Sequence, residues 1–313
     1  TLSMKEHSFA NMPRHIVWFQ IPGLTEEHLA MLRFARADTE SLTSFENMKC
    51  SGKIWNYNLY EIRPDAFNGL LSQMTGSQNK KENCEDYEKR PLWDDFFKLG
   101  YFSGILEKGE RALIEKNMAC DSSRDFYQNT PLWLMKKKTN LSNREFHHQS
   151  KIPSNAGNLY YDRSCQEGSC YASLSNNVRS LWKKVFSKQN KSFLIVRDMS
   201  YYQALKEKDI IKSREVLAEI EKSYRFFSQK VKSQNLQLVL TTTAVQRFEF
   251  PSQGREWAEY ESSGKHILFR HNSLLSSVFA EGAGAENFCG FYEESEIFKR
   301  FLWRPEKKML YLR

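Results

Sequence analysis

Three short, nearly continuous apolar runs constrain the fold of this chain more than any other feature. They occupy residues 16–21, 193–196 and 236–240, and Pro22-Gly23 follows the first of them directly. Runs of this length, closed by a turn signal, are typical of strands buried on both faces of a parallel sheet. No apolar run reaches the 18 residues that a membrane-spanning helix needs, so we expect no transmembrane segment.

Helix signals separate these strands. Thr25 is a candidate N-cap before an apolar stripe, and a second helix is expected between Asp65 and Gly76. The apolar positions of residues 217–231 are spaced 3, 4, 3, 4, which predicts a helix lying on a sheet. Further elements are expected as a helix at 91–99 and as strands at 101–106, 267–269 and 278–280.

This strand–helix alternation predicts an α/β fold, a three-layer sandwich with a central, mainly parallel sheet flanked by helices. We expect a single domain over residues 1–313, with an irregular insertion at about 107–190 that leaves the sheet. That middle segment mixes Asn, Ser and Gly with aromatic residues and shows no sustained period.

The composition excludes several classes of protein. Apolar residues make up 40% of the chain, which excludes intrinsic disorder. The 46 Lys and Arg exceed the 38 Asp and Glu by eight, but the lysine clusters are dispersed and no basic arm appears. The charge therefore predicts a solvated lysine-rich surface and no nucleic-acid partner.

Six cysteines are too few for a disulfide-dense scaffold in 313 residues. Cys165 and Cys170 lie close enough in sequence to close a small loop, but all 15 pairings of the six remain open. No paired Cys-x-x-Cys spacing indicates a zinc knuckle. The chain begins at Thr1 with no apolar leader, as expected of a trimmed chain, and we expect a periplasmic or secreted location.

The residues from 271 to 290 carry a more specific pattern. His271 is followed by Val278-Phe-Ala-Glu-Gly282 and then by Gly284, Ala285, Phe288 and Gly290. This stretch resembles the closing motif of the alkaline phosphatases, a metal-binding His-Thr-Gly-x-Asp-Val followed by Val-Tyr-Ala-x-Gly-Pro-x-Ala-x-x-Phe-x-Gly. The resemblance implies an alkaline-phosphatase-like fold, and, because that family is commonly dimeric, a possible homodimer.

Other family motifs match the chain in order, but their functional residues are replaced. The nucleophile motif Asp-Ser-Ala corresponds to Asp65-Ala66-Phe67, so that alanine stands at the serine position. Of the metal-ligand positions that the resemblance implies, His271 alone keeps a ligand type. The others are Pro22, Arg197, Tyr202, Lys206, Thr243 and Ala244.

These replacements remove the chemistry that the resemblance implies. A two-zinc phosphatase needs carboxylate or imidazole ligands and an alkoxide nucleophile, and alanine has no oxygen to attack with. We therefore expect a catalytically inert pseudoenzyme without cofactor or metal, acting as a ligand-binding or protein-interaction module. An anionic group bound in the former cleft would contact Arg197, Lys206, His271, Thr243 and Asp65.

Three alternatives remain open. The first is an active phosphomonoesterase, or a related metal-dependent hydrolase, with a rearranged site. The second is that the motifs recur by chance, because any α/β sandwich contains strand–Gly–helix segments. The third places the function in a protein contact made by the aromatic middle segment, with an unknown partner.

Other candidate groups have plainer interpretations. The adjacent histidines His147 and His148 favour an exposed loop over a metal site. The carboxylate pairs Asp94-Asp95 and Glu293-Glu294 favour a solvated surface over acid–base catalysis, since adjacent side chains diverge.

Overall fold

The computed structural model of the chain describes most of the sequence. The described residues are 12–34, 43–46, 48–58, 60–63, 65–78, 80–81, 83–120, 123–138, 144–166, 169–252, 254–270 and 273–303. His271 and the predicted helix residue Ala35 lie outside them.

In the described part of the chain, ten strands form the central sheet. They are β1 (His15–Gln20), β2 (Cys50–Trp55), β3 (Phe102–Lys108), β4 (Leu132–Met135), β5 (Glu145–Phe146), β6 (Leu159–Asp162), β9 (Ser192–Asp198), β10 (Leu236–Thr241), β13 (Leu275–Gly282) and β14 (Gly290–Glu293). Their order across the sheet is β14-β2-β13-β10-β1-β9-β3-β4-β6-β5. Strand β13 runs antiparallel to both of its neighbours, and the other pairs are parallel.

Four further strands form two small hairpins outside this sheet. They are β7 (Cys165–Gln166) with β8 (Ser169–Cys170), and β11 (Phe248–Glu249) with β12 (Leu268–Phe269). The strand expected at 267–269 therefore forms, but in a separate hairpin. Each of the four is only two residues long, so no periodicity marks it in the sequence.

Helices cover both faces of the sheet, and local signals set several of their ends. Thr25 accepts a hydrogen bond from the backbone N–H of Glu27, and Asp65 and Gly76 cap the helix between them, as predicted. The helices are α1 (Leu29–Phe34), α2 (Ala66–Thr75), α3 (Leu92–Lys98), α4 (Leu113–Met118), α5 (Ser123–Tyr127), α6 (Leu174–Lys184), α7 (Met199–Lys206), α8 (Ile210–Ser228), α9 (Gly254–Ser263) and α10 (Glu296–Leu302).

Strand β1 divides the apolar core into two layers because successive side chains point to opposite faces. Phe19 packs on one face against Tyr224 of α8, with ring centroids 5.6 Å apart. Trp18 packs on the other face against Phe301 of α10, with ring centroids 4.9 Å apart. The chain is thus an α/β sandwich with a mainly parallel sheet, as the sequence predicts.

The middle segment differs from the expected excursion. Strands β4, β6 and β5 continue the central sheet beyond β3. Every residue of β4 and β6 is buried, and each strand is only four residues long. A buried run of four residues shows neither alternation nor a helical period, which is why the sequence pattern did not reveal these strands. The single-domain organisation over residues 1–313 stays a prediction.

Three disulfides join the six cysteines. Cys165 and Cys170 close the β7–β8 hairpin, as the sequence suggested. Cys84 pairs with Cys120, and Cys50 on β2 pairs with Cys289, 239 residues away. Among the described residues, no helix has the length and apolar content to cross a bilayer.

Candidate functional site

A row of polar side chains crosses the four central strands near their carboxyl ends. Thr241 of β10, Gln20 of β1, Arg197 of β9 and Glu107 of β3 are neighbours in register. In-register neighbours point to the same face of a sheet, and here that face is the one covered by α2 and α10. The carboxyl ends of parallel strands are also the usual position of ligand sites in α/β sheets, so this row is the candidate site.

Arg197 forms the centre of the row and is fully buried. Its Nη1 donates to Glu107 Oε2 at 2.6 Å, and its Nε and Nη2 donate to Gln20 Oε1 at 3.0 and 2.9 Å. The same Nη2 lies 2.8 Å from Met74 Sδ of α2. Every nitrogen of the guanidinium therefore has a protein partner, and the positive charge of Arg197 balances the negative charge of Glu107.

Glu107 is equally buried, and its second carboxylate oxygen accepts the backbone N–H of Leu113 at the start of α4. Burial raises the pKa of the Glu107 carboxyl, and the charge of Arg197 opposes that rise. Both carboxylate oxygens are thereby committed to protein donors.

A second set of hydrogen bonds links the row to α2 and to the segment after β14. Gln73 Oε1 accepts from Thr241 Oγ1 at 2.6 Å, and Gln73 Nε2 donates to Glu294 Oε1 at 2.8 Å. Thr241 Oγ1 also accepts the indole N–H of Trp18 at 2.9 Å. Together with Gln20, Arg197 and Glu107, these residues form a continuous structure that we call the buried polar network.

Glu294 is a component that the sequence did not reveal. We expected Glu293 and Glu294 to be solvated, but Glu294 is only 4% exposed. Burial raises its pKa to about 7, and hydrogen bonds from Thr243 and Gln73 oppose the rise. The two carboxylates diverge because Glu293 ends the edge strand β14 and Glu294 follows it directly, and successive side chains along a strand take opposite faces.

The start of helix α2 lies against this network. Asp65 Oδ1 accepts the backbone N–H groups of Phe67 at 2.8 Å and Asn68 at 3.1 Å, which is an N-cap. Ala66 is the buried first residue of α2. One turn on, Gly69 packs so closely on Thr243 that a Cβ would lie 1.8 Å from Thr243 Oγ1.

The structure brings together only part of the predicted anion-contacting set. Arg197 and Thr243 lie in or beside the buried polar network, and Asp65 lies at the start of the adjacent helix. Lys206 is exposed at the end of α7, with its Nζ 5.4 Å from the centre of the Tyr202 ring. His271 lies outside the described residues.

The donor set at the carboxyl ends of the central strands does not fit a pair of metal ions. A buried guanidinium stands in the row, and both oxygens of Glu107 already accept hydrogen bonds. Within the described ranges, no cluster of three or more His, Cys, Asp or Glu could hold a metal ion. Metal ligands need free lone pairs and no adjacent cation.

Sequence reasoning identified Arg197 and Thr243 but missed Gln20, Gln73, Glu107 and Glu294. One available signal was a polar residue at the end of each buried strand: Gln20 is the last residue of β1, and Glu107 is the residue before the last of β3. Gln73 lies on the buried side of α2 and carries no motif.

No family model and no curated protein matches the sequence. Solved structures do match. The alkaline phosphatase of the Antarctic bacterium TAB5 is 15% identical, over 93% of this chain and 98% of its own, with a TM-score of 0.70. The cold-active alkaline phosphatase of the psychrophile Shewanella sp. is 11% identical, over 93% of this chain and 100% of its own, with a TM-score of 0.74.

A structure from a differently named protein also matches. The lipoteichoic acid synthase LtaP from Listeria monocytogenes is 10% identical, over 92% of this chain and 70% of its own, with a TM-score of 0.53. At these identities the likeness concerns the fold. The chain has the alkaline-phosphatase-like fold that its closing motif predicts.

Proposed function

We propose that this chain is a catalytically inert alkaline-phosphatase-like protein that acts by binding. One observation carries the proposal. Thr241, Gln20, Arg197 and Glu107 fill the carboxyl ends of the four central strands with side chains that satisfy one another. That is the region in which the resemblance to the alkaline phosphatases implies the metal site.

Electrostatics supports this proposal. A dication about 5 Å from the Arg197 guanidinium would be repelled by about 7 kcal/mol at an effective dielectric constant of 20. The Glu107 carboxylate offsets part of this repulsion, but both of its oxygens already accept hydrogen bonds from protein donors and are not available as metal ligands. At the start of α2, the methyl group of Ala66 supplies no nucleophilic oxygen.

The compartment follows from the cysteines. Three disulfides are typical of proteins that fold in an oxidising environment, such as the periplasm or the extracellular space. We therefore propose a periplasmic or secreted protein.

The sequence predicts two binding modes, an anion in the former cleft and a protein contact made by the aromatic middle segment, and the structure bears on each differently. An anion in the former cleft stays a prediction, but it would have to rely on donors other than Arg197, whose nitrogens are occupied. A contact surface made by the aromatic middle segment is less supported, because Trp133, Trp182 and Tyr161 are buried in the core. Tyr171 is the exception, with 92% of its surface exposed.

An active metal-dependent hydrolase is the competing proposal, supported by the likeness to solved alkaline phosphatases. An assay with p-nitrophenyl phosphate at alkaline pH, with zinc and magnesium added, separates the two. We expect no turnover above the rate in buffer. Metal-dependent turnover that co-purifies with the chain and disappears on chelation would overturn the proposal of inertness.

A further inference from the structure

A polar cavity lies beside the disulfide-closed β7–β8 hairpin, next to the sheet edge formed by β5 and β6. Its volume is about 530 Å³. In the sheet, β4 separates β6 from β3, the nearest strand of the buried polar network. Side chains that can donate hydrogen bonds dominate its wall: His147, Ser150, Arg163, Ser164, Gln166 and Tyr171.

Hydrogen bonds from α6 and the closure of the β7–β8 hairpin hold the wall of this cavity in place. Lys184 Nζ, on α6, donates to the carbonyl oxygens of His148 at 2.7 Å and Ser150 at 2.8 Å. The backbone N–H of Tyr171 donates to the carbonyl oxygen of Ser164 at 3.0 Å, and a disulfide closes the hairpin between them. A wall fixed in this way is preorganised for a ligand, which lowers the entropic cost of binding.

Among the described residues that line the cavity, Arg163 supplies a positive charge and none is a carboxylate. The exposed guanidinium of Arg163 makes no ion pair or hydrogen bond with the part of the chain that the structure describes. The nearby described carboxylates are engaged elsewhere: Glu145 lies 3.5 Å from Lys138, and buried Asp162 accepts from Asn177 Nδ2 at 2.6 Å. A free guanidinium fork matches the two oxygens of a sulfate or carboxylate.

The other groups that line the cavity can contact a ring and hydroxyl groups of a ligand. Tyr171 is 92% exposed, so that its aromatic face is open to a ligand. Ser164 Oγ accepts the backbone N–H of Ala172 at 3.1 Å, which leaves its hydroxyl hydrogen free to donate, and Ser150 adds a second hydroxyl.

We propose that this cavity binds an acidic sugar, with Arg163 on its sulfate or carboxylate and Tyr171 against its ring. The proposal is independent of whether the former catalytic cleft is inert.

Calorimetric titration of the whole chain tests the proposal. The probes are a sulfated heparin-derived tetrasaccharide, its unsulfated heparosan counterpart, which carries carboxylates only, and inorganic sulfate. We expect both tetrasaccharides to bind more tightly than sulfate, and the tighter of the two to identify the preferred oxyanion. Equal affinities for sulfate and for both tetrasaccharides would overturn the assignment to a sugar.

Variants localise the binding. Arg163→Ala is expected to weaken the tetrasaccharide about tenfold or more, the loss of one charge-assisted contact. Tyr171→Ala is expected to weaken the tetrasaccharide but not sulfate. Arg255→Ala is the matched control, because Arg255 is a highly exposed arginine on α9 that pairs with Glu259. Equal losses in Arg163→Ala and Arg255→Ala, or no binding by the folded wild type at millimolar probe, would overturn the site.

Discussion

At the scale of residues, the ion pair of Arg197 and Glu107 lies at the centre of the buried polar network. Both side chains are fully buried, and the pair is joined at 2.6 Å. Burying two charges is costly, and the cost is recovered only when hydrogen bonds satisfy the remaining atoms. Gln20 and the backbone N–H of Leu113 supply those hydrogen bonds, so each member of the pair depends on the other.

Arg197→Met is therefore expected to leave the buried Glu107 carboxylate without its counter-charge and to lower the free energy of unfolding by about 3–5 kcal/mol. Adding Glu107→Gln to the same chain removes the stranded charge and should restore part of the loss. Urea denaturation measures both variants. Arg255→Met, which removes an exposed arginine, is the control and should change stability by less than about 0.5 kcal/mol. An Arg197→Met variant as stable as this control would contradict the role of the pair.

Glu294 makes a pH-dependent contribution at the same scale. Its pKa is raised from 4.5 to about 7 in the folded chain, so the folded state holds a proton that the unfolded state has released. The wild type should therefore lose stability as the pH rises from about 4.5 to about 7, by up to about 3 kcal/mol from this group.

Glu294→Gln removes this titration while keeping a polar side chain of similar shape. We expect the difference in unfolding free energy between Glu294→Gln and the wild type to move in favour of the variant as the pH rises through that window. Urea denaturation at several pH values measures it. A difference that stays constant across the window would contradict a raised pKa at Glu294.

At the scale of elements, helix α2 is positioned by its contact with the segment after β10. Gly69 faces Thr243, and a Cβ at Gly69 would lie 1.8 Å from Thr243 Oγ1 and 3.0 Å from Glu294 Oε1. Helix α2 and the segment after β10 approach each other this closely only because residue 69 has no side chain.

Gly69→Ala should consequently destabilise the chain by about 1–3 kcal/mol, even though alanine is the better helix former. Thr243→Ala in the same chain removes the clashing hydroxyl and should recover part of that loss. Thermal unfolding of the single and double variants checks the coupling. A Gly69→Ala variant more stable than the wild type would show that α2 does not lie this close to Thr243.

The elements also show how far the sequence can predict this fold. Helix α2 was predicted from Asp65 to Gly76 because both ends carry local capping signals. Strands β4 and β6 were missed because each is a fully buried run of four residues without a period. Local signals therefore predict elements that carry capping residues or a regular alternation of apolar residues. They do not predict short strands that are buried on both faces.

At the scale of the whole molecule, the disulfides differ in how much of the chain they close. Cys50 and Cys289 are 239 residues apart and tie β2 to the segment just before β14, whereas Cys165 and Cys170 are five residues apart. In the chain-entropy model, the longer loop restricts the unfolded state more.

Replacing Cys50 and Cys289 by serine should therefore cost about 5 kcal/mol, against about 2 kcal/mol for the same change at Cys165 and Cys170. Urea denaturation of the two double variants compares these losses directly. Equal losses, or a larger loss at the short hairpin, would contradict the predicted order.

The buried polar network shows the other limit of sequence prediction. The motif comparison singled out Ala66, Arg197 and Thr243 as positions where the resemblance implies other residues. The partners of Arg197 could not, because Gln20 and Glu107 are 177 and 90 residues away from it and meet it only through strand order. Contacts between distant strands depend on topology, which periodicity does not encode.

The most direct measurement is the zinc content of the chain after equilibration with excess zinc and removal of free metal by gel filtration. If the buried polar network has replaced the metal site, elemental analysis will find no stoichiometric zinc. Added zinc will then leave the stability of the chain unchanged. Two zinc ions retained per folded chain would contradict that account.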